Sequence, residues 1–346
     1  MKAVFVEAAE SINVKEIDVP ALKADEVLIK VAAAGICGSD IHTYKGLHPF
    51  RKPPVVIGHE VAGEVVEIGS NVQHVQVGDR VTVEPQIGTG ETEGVMTGQP
   101  NLSDKRLAPG MGDWLGTMAE YFTSPESQVI QLPDHVSYDQ GVLVEPLAVG
   151  VHAARKGDIQ PGDRVAILGA GPIGLLTLIA AKAKGATEIV VTDVLDYSLD
   201  YAKKMGATST LNIRNNPDWI QEAKAKVGRS FDKVFITAGV PGIINDSLNL
   251  LKKGGRVVTV AMFHGQQDFD VEQLQQNEKE IVGCMTYNRP DTAEALEIIA
   301  KGELPVDAVI SHTLSYEEAN RGFEMVDKKQ DESVKVIVTF NQEANR

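Results

Sequence analysis

Apolar positions in the first half of the chain fall in short runs separated by turn residues. Residues 27–33 and 61–68 are rich in β-formers, and Gly69 and then Gly78-Asp79 punctuate the approach to a further run at 80–83. Recurrent turns between short strands predict a compact, antiparallel, barrel-like unit. From about Arg164 the rhythm changes. The run Arg164-Val-Ala-Ile-Leu168 reads as a buried strand, and 172–184 carries the longer apolar pattern of a helix. A strand at 188–193 and a helix at 198–205 follow, then apolar runs at 233–237, 256–260 and 280–284. Strands alternating with helices predict βαβ units and a doubly wound parallel sheet, so the fold class is α/β.

After Cys284 come two helices with start signals of capping-box spacing, Asp291 with Glu294 and Ser315 with Glu318. A last strand at 334–340 has no place in an already complete parallel sheet and is expected to return to the first unit. These rhythms divide the chain into a first part at 1–152, an alternating part at 153–284 and a C-terminal return at 285–346.

The length, 346 residues, suits two domains, and 43% hydrophobic with 23% charged residues is ordinary for a globular protein with a full core. A net charge of −15 excludes nucleic acid and anionic membrane as expected partners, since both would repel the protein's field. The two cysteines, Cys37 and Cys284, are too few for a disulfide framework, and Cys284 ends an apolar strand as a structural residue. The start of the chain lacks a signal peptide's apolar core, and the longest apolar stretch, 175–181, is far short of a membrane span. A reducing cytoplasm is the expected location.

Chemistry enters with Gly169-x-Gly171-x-x-Gly174, with Pro172 and Ile173 between the last two glycines. The motif follows a predicted strand and opens a predicted helix, the context that gives it meaning as a dinucleotide fingerprint. The first glycine permits the tight turn, the second lets a pyrophosphate approach the backbone, and the third packs helix on strand. Asp193 stands at the end of the next strand, about 20 residues on, where a carboxylate accepts the ribose hydroxyls and repels a 2′-phosphate. Val194-Leu195 offer no arginine to neutralise such a phosphate, so NAD is favoured over NADP. Thr237, in Thr237-Ala-Gly239, either lines the adenosine side or belongs to an ordinary strand-end turn.

Nearer the start, Cys37 lies in Gly35-Ile-Cys-Gly-Ser-Asp-Ile-His42, and His59-Glu60 lie in Gly58-His-Glu-x-x-Gly63. Thiolate, imidazole and carboxylate are the ligand types of a catalytic zinc that keeps one position open. With Gly69, Val72, Gly78-Asp79 and Val81 behind them, these residues closely resemble the zinc-dependent medium-chain dehydrogenase/reductase family, polyol or butanediol branch, over essentially the whole chain. The resemblance implies a barrel-like (GroES-like) catalytic domain interrupted by a Rossmann domain. It implies Cys37 and His59 as zinc ligands, and Glu60 as a catalytic carboxylate that binds zinc directly or exchanges with water. Glu145, in Leu143-Val-Glu-Pro-Leu147, matches a further acidic position of that branch and is the fourth expected metal residue, and Ser39 and His42 match the family's proton relay. A homo-oligomer, tetramer or dimer, is the family's usual assembly.

Two departures stand out. The family's four-cysteine structural-zinc lobe aligns with Thr89, Thr92, Val95 and Ser103, none of which is a thiolate, so one catalytic zinc and no structural zinc is expected. Ser198 stands where related polyol enzymes often have an arginine near the adenosine.

The expected function is reversible hydride transfer from the secondary hydroxyl of a polyol, of sorbitol/L-iditol type, to NAD+. Alternatives are a (R,R)-2,3-butanediol/acetoin dehydrogenase, a polyol-phosphate dehydrogenase of galactitol-phosphate type and, outside enzymes, a dinucleotide-binding redox sensor. Tyr44, Phe50, Trp114 with Leu115, and Tyr287 with Asn288 are the candidate walls of a pocket for such a small-molecule substrate, with plain core packing as the alternative for each. Arg51, Lys52 and Arg289 are either holders of a sugar phosphate or solvated surface charges.

Overall fold

A computed structural model describes residues 1–263 and 265–340. The chain forms two compact units, one from Met1–Glu145 with the chain from Ile310 onward, the other from Pro146–Val309.

In the first unit the strand Glu26–Gly35 is buried along its whole length except at Lys30, which is why its apolar run does not alternate. It is the centre of a seven-stranded sheet. On one side lie Glu60–Ile68, Arg80–Val83 and Val129–Gln131; on the other, Lys335–Thr339 and Ile310–Ser315; Tyr121–Pro125 also pairs with it. The last strand therefore returns to the first unit as expected, antiparallel to Glu26–Gly35 with Ile337 opposite Gly35. The sheet is not purely antiparallel, because Lys335–Thr339 runs parallel to Ile310–Ser315. Ile29, Ile57, Phe122 and Phe323 are among the wholly buried side chains of its core, each worth about 1.5–3 kcal/mol of burial.

The lobe retains structure around its four non-thiolate positions. Ile87–Gly88 pairs with Arg106–Leu107, and the short helix Glu93–Met96 lies between them in sequence. The Thr92 and Ser103 hydroxyls hydrogen-bond each other at 2.8 Å, and Thr89 Oγ1 donates to the Lys105 carbonyl at 2.6 Å. Oxygen hydrogen bonds thus occupy three of the positions at which the family pattern would place sulfur.

The second unit is a six-stranded parallel sheet. Its order is Ser209–Asn212, Glu188–Asp193, Arg164–Leu168, Phe231–Ile236, Leu251–Thr259, Glu280–Gly283, the 3-2-1-4-5-6 order of a Rossmann domain. Asp232 joins three adjacent strands through Arg164 Nε at 2.8 Å and Lys252 Nζ at 2.6 Å. Burial opposes ionisation of Asp232, but the bonds from Arg164 and Lys252 hold its carboxyl far below the usual range.

The unit boundaries differ from the sequence expectation. They fall at 145/146 and 309/310 rather than at 152/153 and 284/285. The helix Arg289–Lys301, expected to belong to the C-terminal return, stays with the second unit. There Asp291 accepts from His152 Nδ1 at 2.8 Å and pairs with Arg155 at 3.1 Å, both on the helix Val144–Gly157. Sequence periodicity marks where a sheet runs out, whereas this helix is assigned by polar partners far away in the chain. Asn288, not Asp291, is that helix's N-cap, and Asp291 supplies the returning carboxylate of the box. The Ser315–Glu318 box forms as expected, on a short 3₁₀ turn that leads into the helix Ala319–Lys328. Among the described residues no helix is long and apolar enough to cross a membrane.

Candidate active site

The pairing register of two strands assembles a metal-binding cluster. Gly35, at the end of Glu26–Gly35, stands opposite Glu60, the first residue of Glu60–Ile68. Cys37, two residues beyond Gly35, thereby meets His59 and Glu60 at one end of the sheet. The sulfur, imidazole nitrogen and carboxylate oxygen all lie within 4.8 Å of one another, with His59 and Glu60 buried and Cys37 half-buried. A Cβ on Gly35 would lie 1.8 Å from Glu60 Oε2, so any larger residue here would push the carboxylate out of its place. Soft sulfur, nitrogen and oxygen in one buried corner fit a zinc ion with an open fourth position. Of the four ligands expected, three are brought together; Glu145 is not in this tight cluster, although its charge acts on Lys335 nearby.

A second layer orients the first. Cys37 caps the helix Gly38–Tyr44, and its N–H donates to Asp40 Oδ2 at 3.0 Å. The other oxygen of Asp40 lies 3.2 Å from His59 Nδ1 and accepts from Arg51 Nη1 at 3.2 Å. A proton on Nδ1 shared with Asp40 leaves the Nε2 lone pair for metal. Burial works against a charged Asp40, yet the charges of His59 and Arg51 and the Cys37 N–H hold it below the ordinary carboxylate range. Asp40→Asn is expected to weaken zinc affinity about 10–100-fold, read by competition with a chelator; unchanged affinity would mean that Asp40 does not orient the imidazole. Arg51 corrects one sequence expectation: it is buried against this pair, not solvated. His48 Nδ1 accepts the N–H groups of Phe50 and Arg51, and burial with the Arg51 charge lowers its pKa to about 4. It is therefore a neutral imidazole at physiological pH.

Sequence reasoning missed Lys335. Its ammonium grips both oxygens of Glu60, Oε1 at 2.6 Å, and donates to the Ile36 carbonyl at 3.2 Å. The two side chains are 1% and 0% exposed. Burial pushes Lys335 down, but Glu60, Cys37 and Glu145 more than offset this and hold it charged. The only signal in the sequence was a lysine inside the apolar run 334–340, and lysine is almost never fully buried unless paired.

Ser39 and His42, the expected relay, sit three residues apart on Gly38–Tyr44, the spacing of one helix face, and both are half-buried. The expected pocket walls fare unevenly. The Tyr44 ring packs on Phe323 within the core, so it is a core residue. Phe50 is 69% exposed, edge-on to His48. Trp114 stacks on Phe122 and donates its indole N–H to the Thr123 carbonyl at 2.9 Å. Tyr287 is buried.

In the second unit the glycine turn links the strand Arg164–Leu168 to the helix Pro172–Ala183. Gly169 is left-handed at φ +114°, and a Cβ on Gly174 would lie 2.0 Å from the Gly169 carbonyl. Thr237 Oγ1 donates to the Leu168 and Gly169 carbonyls, each at 3.0 Å, and so braces the turn. Gly171 is the N-cap and Pro172 the first helical residue, with Ile173 half-buried behind them. Gly171 is exposed with open space where a Cβ would stand, so the helix start is free to receive a pyrophosphate. Asp193 ends the next strand, accepting from Ala170 N at 2.7 Å with one oxygen and from Val194 N and Leu195 N with the other. The residues fit a dinucleotide: an open helix N-terminus, a tight glycine turn and a carboxylate at the ribose position.

Comparison with known proteins places the chain among dehydrogenases. An alcohol dehydrogenase GroES-like domain family matches residues 23–134, and a zinc-binding dehydrogenase family matches 172–301. Sorbitol dehydrogenase of Bacillus subtilis (strain 168) is 36% identical, with 99% of this chain and 98% of the relative covered. D-arabitol-phosphate dehydrogenase of Enterococcus avium is 38% identical over 95% and 94%. The crystal structure of 2R,3R-butanediol dehydrogenase from Bacillus subtilis superposes with a TM-score of 0.91 at 30% identity, covering 98% of this chain and 99% of that one.

Proposed function

The chain belongs to the zinc-binding medium-chain dehydrogenases, polyol branch, and on that premise we propose that it oxidises the secondary hydroxyl of a sorbitol/L-iditol-type polyol with NAD+, reversibly. The observation that carries this reading is the Cys37–His59–Glu60 cluster, whose donor set suits a catalytic zinc. When bound, zinc supplies the Lewis acidity that acidifies a substrate hydroxyl, and the nicotinamide accepts the hydride.

The protein's own groups do the rest. Asp40 and Arg51 hold His59 in one orientation, and Lys335 holds the Glu60 carboxylate in place. Ser39 receives the proton of the substrate hydroxyl, and His42, on the same helix face, passes it towards solvent. Gly169, Gly171 and Gly174 admit the pyrophosphate, and Asp193 accepts the adenosine ribose hydroxyls. Glu145, buried near Lys335, is the fourth candidate ligand for the metal. The lobe carries no metal, its hydroxyl hydrogen bonds taking the place of a zinc clip. Two thiols without a disulfide support a cytoplasmic location, and the family's usual assembly supports a homo-oligomer, tetramer or dimer.

The test is NADH formation from sorbitol, xylitol, 2,3-butanediol and a polyol phosphate, each with and without chelator. Chelator-sensitive turnover is expected on the polyols. Turnover confined to butanediol or to the phosphate ester would keep the mechanism and replace the substrate. No turnover with NAD still bound would favour a redox sensor. A one-thiolate site is less soft than a two-thiolate one, so chelator should strip the metal readily and added zinc should restore activity. Slow or absent inactivation would count against this ligand set.

A further inference from the structure

Asp193 alone argues for NAD+, and the residues immediately after it, Val194 and Leu195, include no arginine. The fold brings one back. The strand Ser209–Asn212 lies parallel to Glu188–Asp193, with Asn212 opposite Asp193, and Ile213 N donates to the Asp193 carbonyl at 2.9 Å. The chain then turns on Asn212, whose Oδ1 accepts from Arg214 N at 2.9 Å. Arg214 Nε donates to the Val194 carbonyl at 3.0 Å. A guanidinium is thereby pinned to the residue immediately after the ribose-reading carboxylate.

This arginine is exposed, and among the described residues no carboxylate lies within ion-pair distance of it. The nearby acid Asp196 is instead engaged by Asn212 Nδ2 at 2.6 Å. With Nε occupied by a carbonyl, the plane of the guanidinium is set and its two terminal nitrogens remain as a fork. That is the geometry in which arginine takes a phosphate. Ser198, where related enzymes often carry an arginine, is buried and uncharged, so it does not supply this charge.

We propose that Arg214 reads the adenosine 2′ position in this chain, and that the site accepts NADP+ as well as NAD+. The inference rests on the dinucleotide reading of the Gly169–Gly174 turn. Asp193 favours a free ribose diol, whereas a 2′-phosphate beside it gains two charge-assisted hydrogen bonds from Arg214 that offset the repulsion. The two groups therefore oppose each other, and cofactor choice is set by their balance.

The test is a calorimetric titration of the full chain with NAD+, NADP+ and the fragment 2′,5′-ADP, for wild type, Arg214→Ala and Arg214→Lys. Wild type is expected to bind both cofactors with affinities within about tenfold of each other. Arg214→Ala should lower the NADP+/NAD+ affinity ratio tenfold or more, and Arg214→Lys should retain part of it. Added salt should weaken NADP+ binding more steeply in wild type than in Arg214→Ala, since a charge contact is screened. A ratio changed less than threefold by Arg214→Ala, or a wild type that binds NAD+ but neither NADP+ nor 2′,5′-ADP, overturns the role of Arg214. Failure of wild type to bind either cofactor overturns the dinucleotide reading itself, and that result is distinguishable from the others.

Discussion

Lys335→Met is expected to destabilise the metal-stripped protein by about 3–5 kcal/mol, the cost of leaving a buried charge without its partner. Glu60 has no solvent to fall back on, being fully buried against the Gly35 backbone. Its two oxygens are held by the Lys335 ammonium, which also satisfies the Ile36 carbonyl. Methionine fills much of the same volume, so packing changes little and the effect isolates the charge. The double variant Glu60→Gln with Lys335→Met removes both charges and is expected to recover most of the loss. Zinc-loaded protein should lose less, because a cation beside the carboxylate compensates part of its charge. Denaturant titration of the four forms, with and without zinc, measures all of this. A loss below about 1 kcal/mol in the stripped single variant would mean that Glu60 is not held as an anion by this lysine.

Cys37→Ser is expected to remove zinc and to lower kcat by at least ~10³. Metal Lewis acidity contributes several kcal/mol to the barrier, and each 1.36 kcal/mol is a factor of ten. Serine keeps the size and the N-cap position at the head of Gly38–Tyr44 but replaces a soft thiolate by a poor zinc ligand. The fold should survive, since Cys37 is half-buried and the core of its unit is built from other side chains. Nucleotide affinity should survive as well, because the glycine turn belongs to the other unit. Metal analysis, NADH formation and a binding titration on one preparation check the three statements together. Retained zinc with retained turnover would take Cys37 out of the metal site.

Much of this architecture was readable from local pattern. The glycine turn could be placed because strand, glycines and helix are contiguous, and the structure has Arg164–Leu168 followed by Pro172–Ala183 around it. The Ser315 box formed where its spacing put it, because a cap is satisfied within one turn of chain. Cys37, His59 and Glu60 were readable as ligand types, and the Gly35–Glu60 register brought them together. Tyr44 reads from sequence as either pocket wall or core, because an aromatic carries no mark of which side it faces; packing on Phe323 decided for the core.

What the sequence by itself determined is the kind of each element and the kind of chemistry. Periodicity, glycine position and donor type are local properties that survive without a partner. Tertiary structure alone decided the pairings: Lys335 on Glu60 across the whole chain, Arg51 buried on Asp40, Asp291 drawn to His152, and Arg214 returned to Val194. A charge finds its partner through strand register and chain return, which depend on many distant residues at once. Where the ion is buried, as at Lys335, Arg51 and Asp291, the pairing is compulsory, because an ion out of water must be met by another.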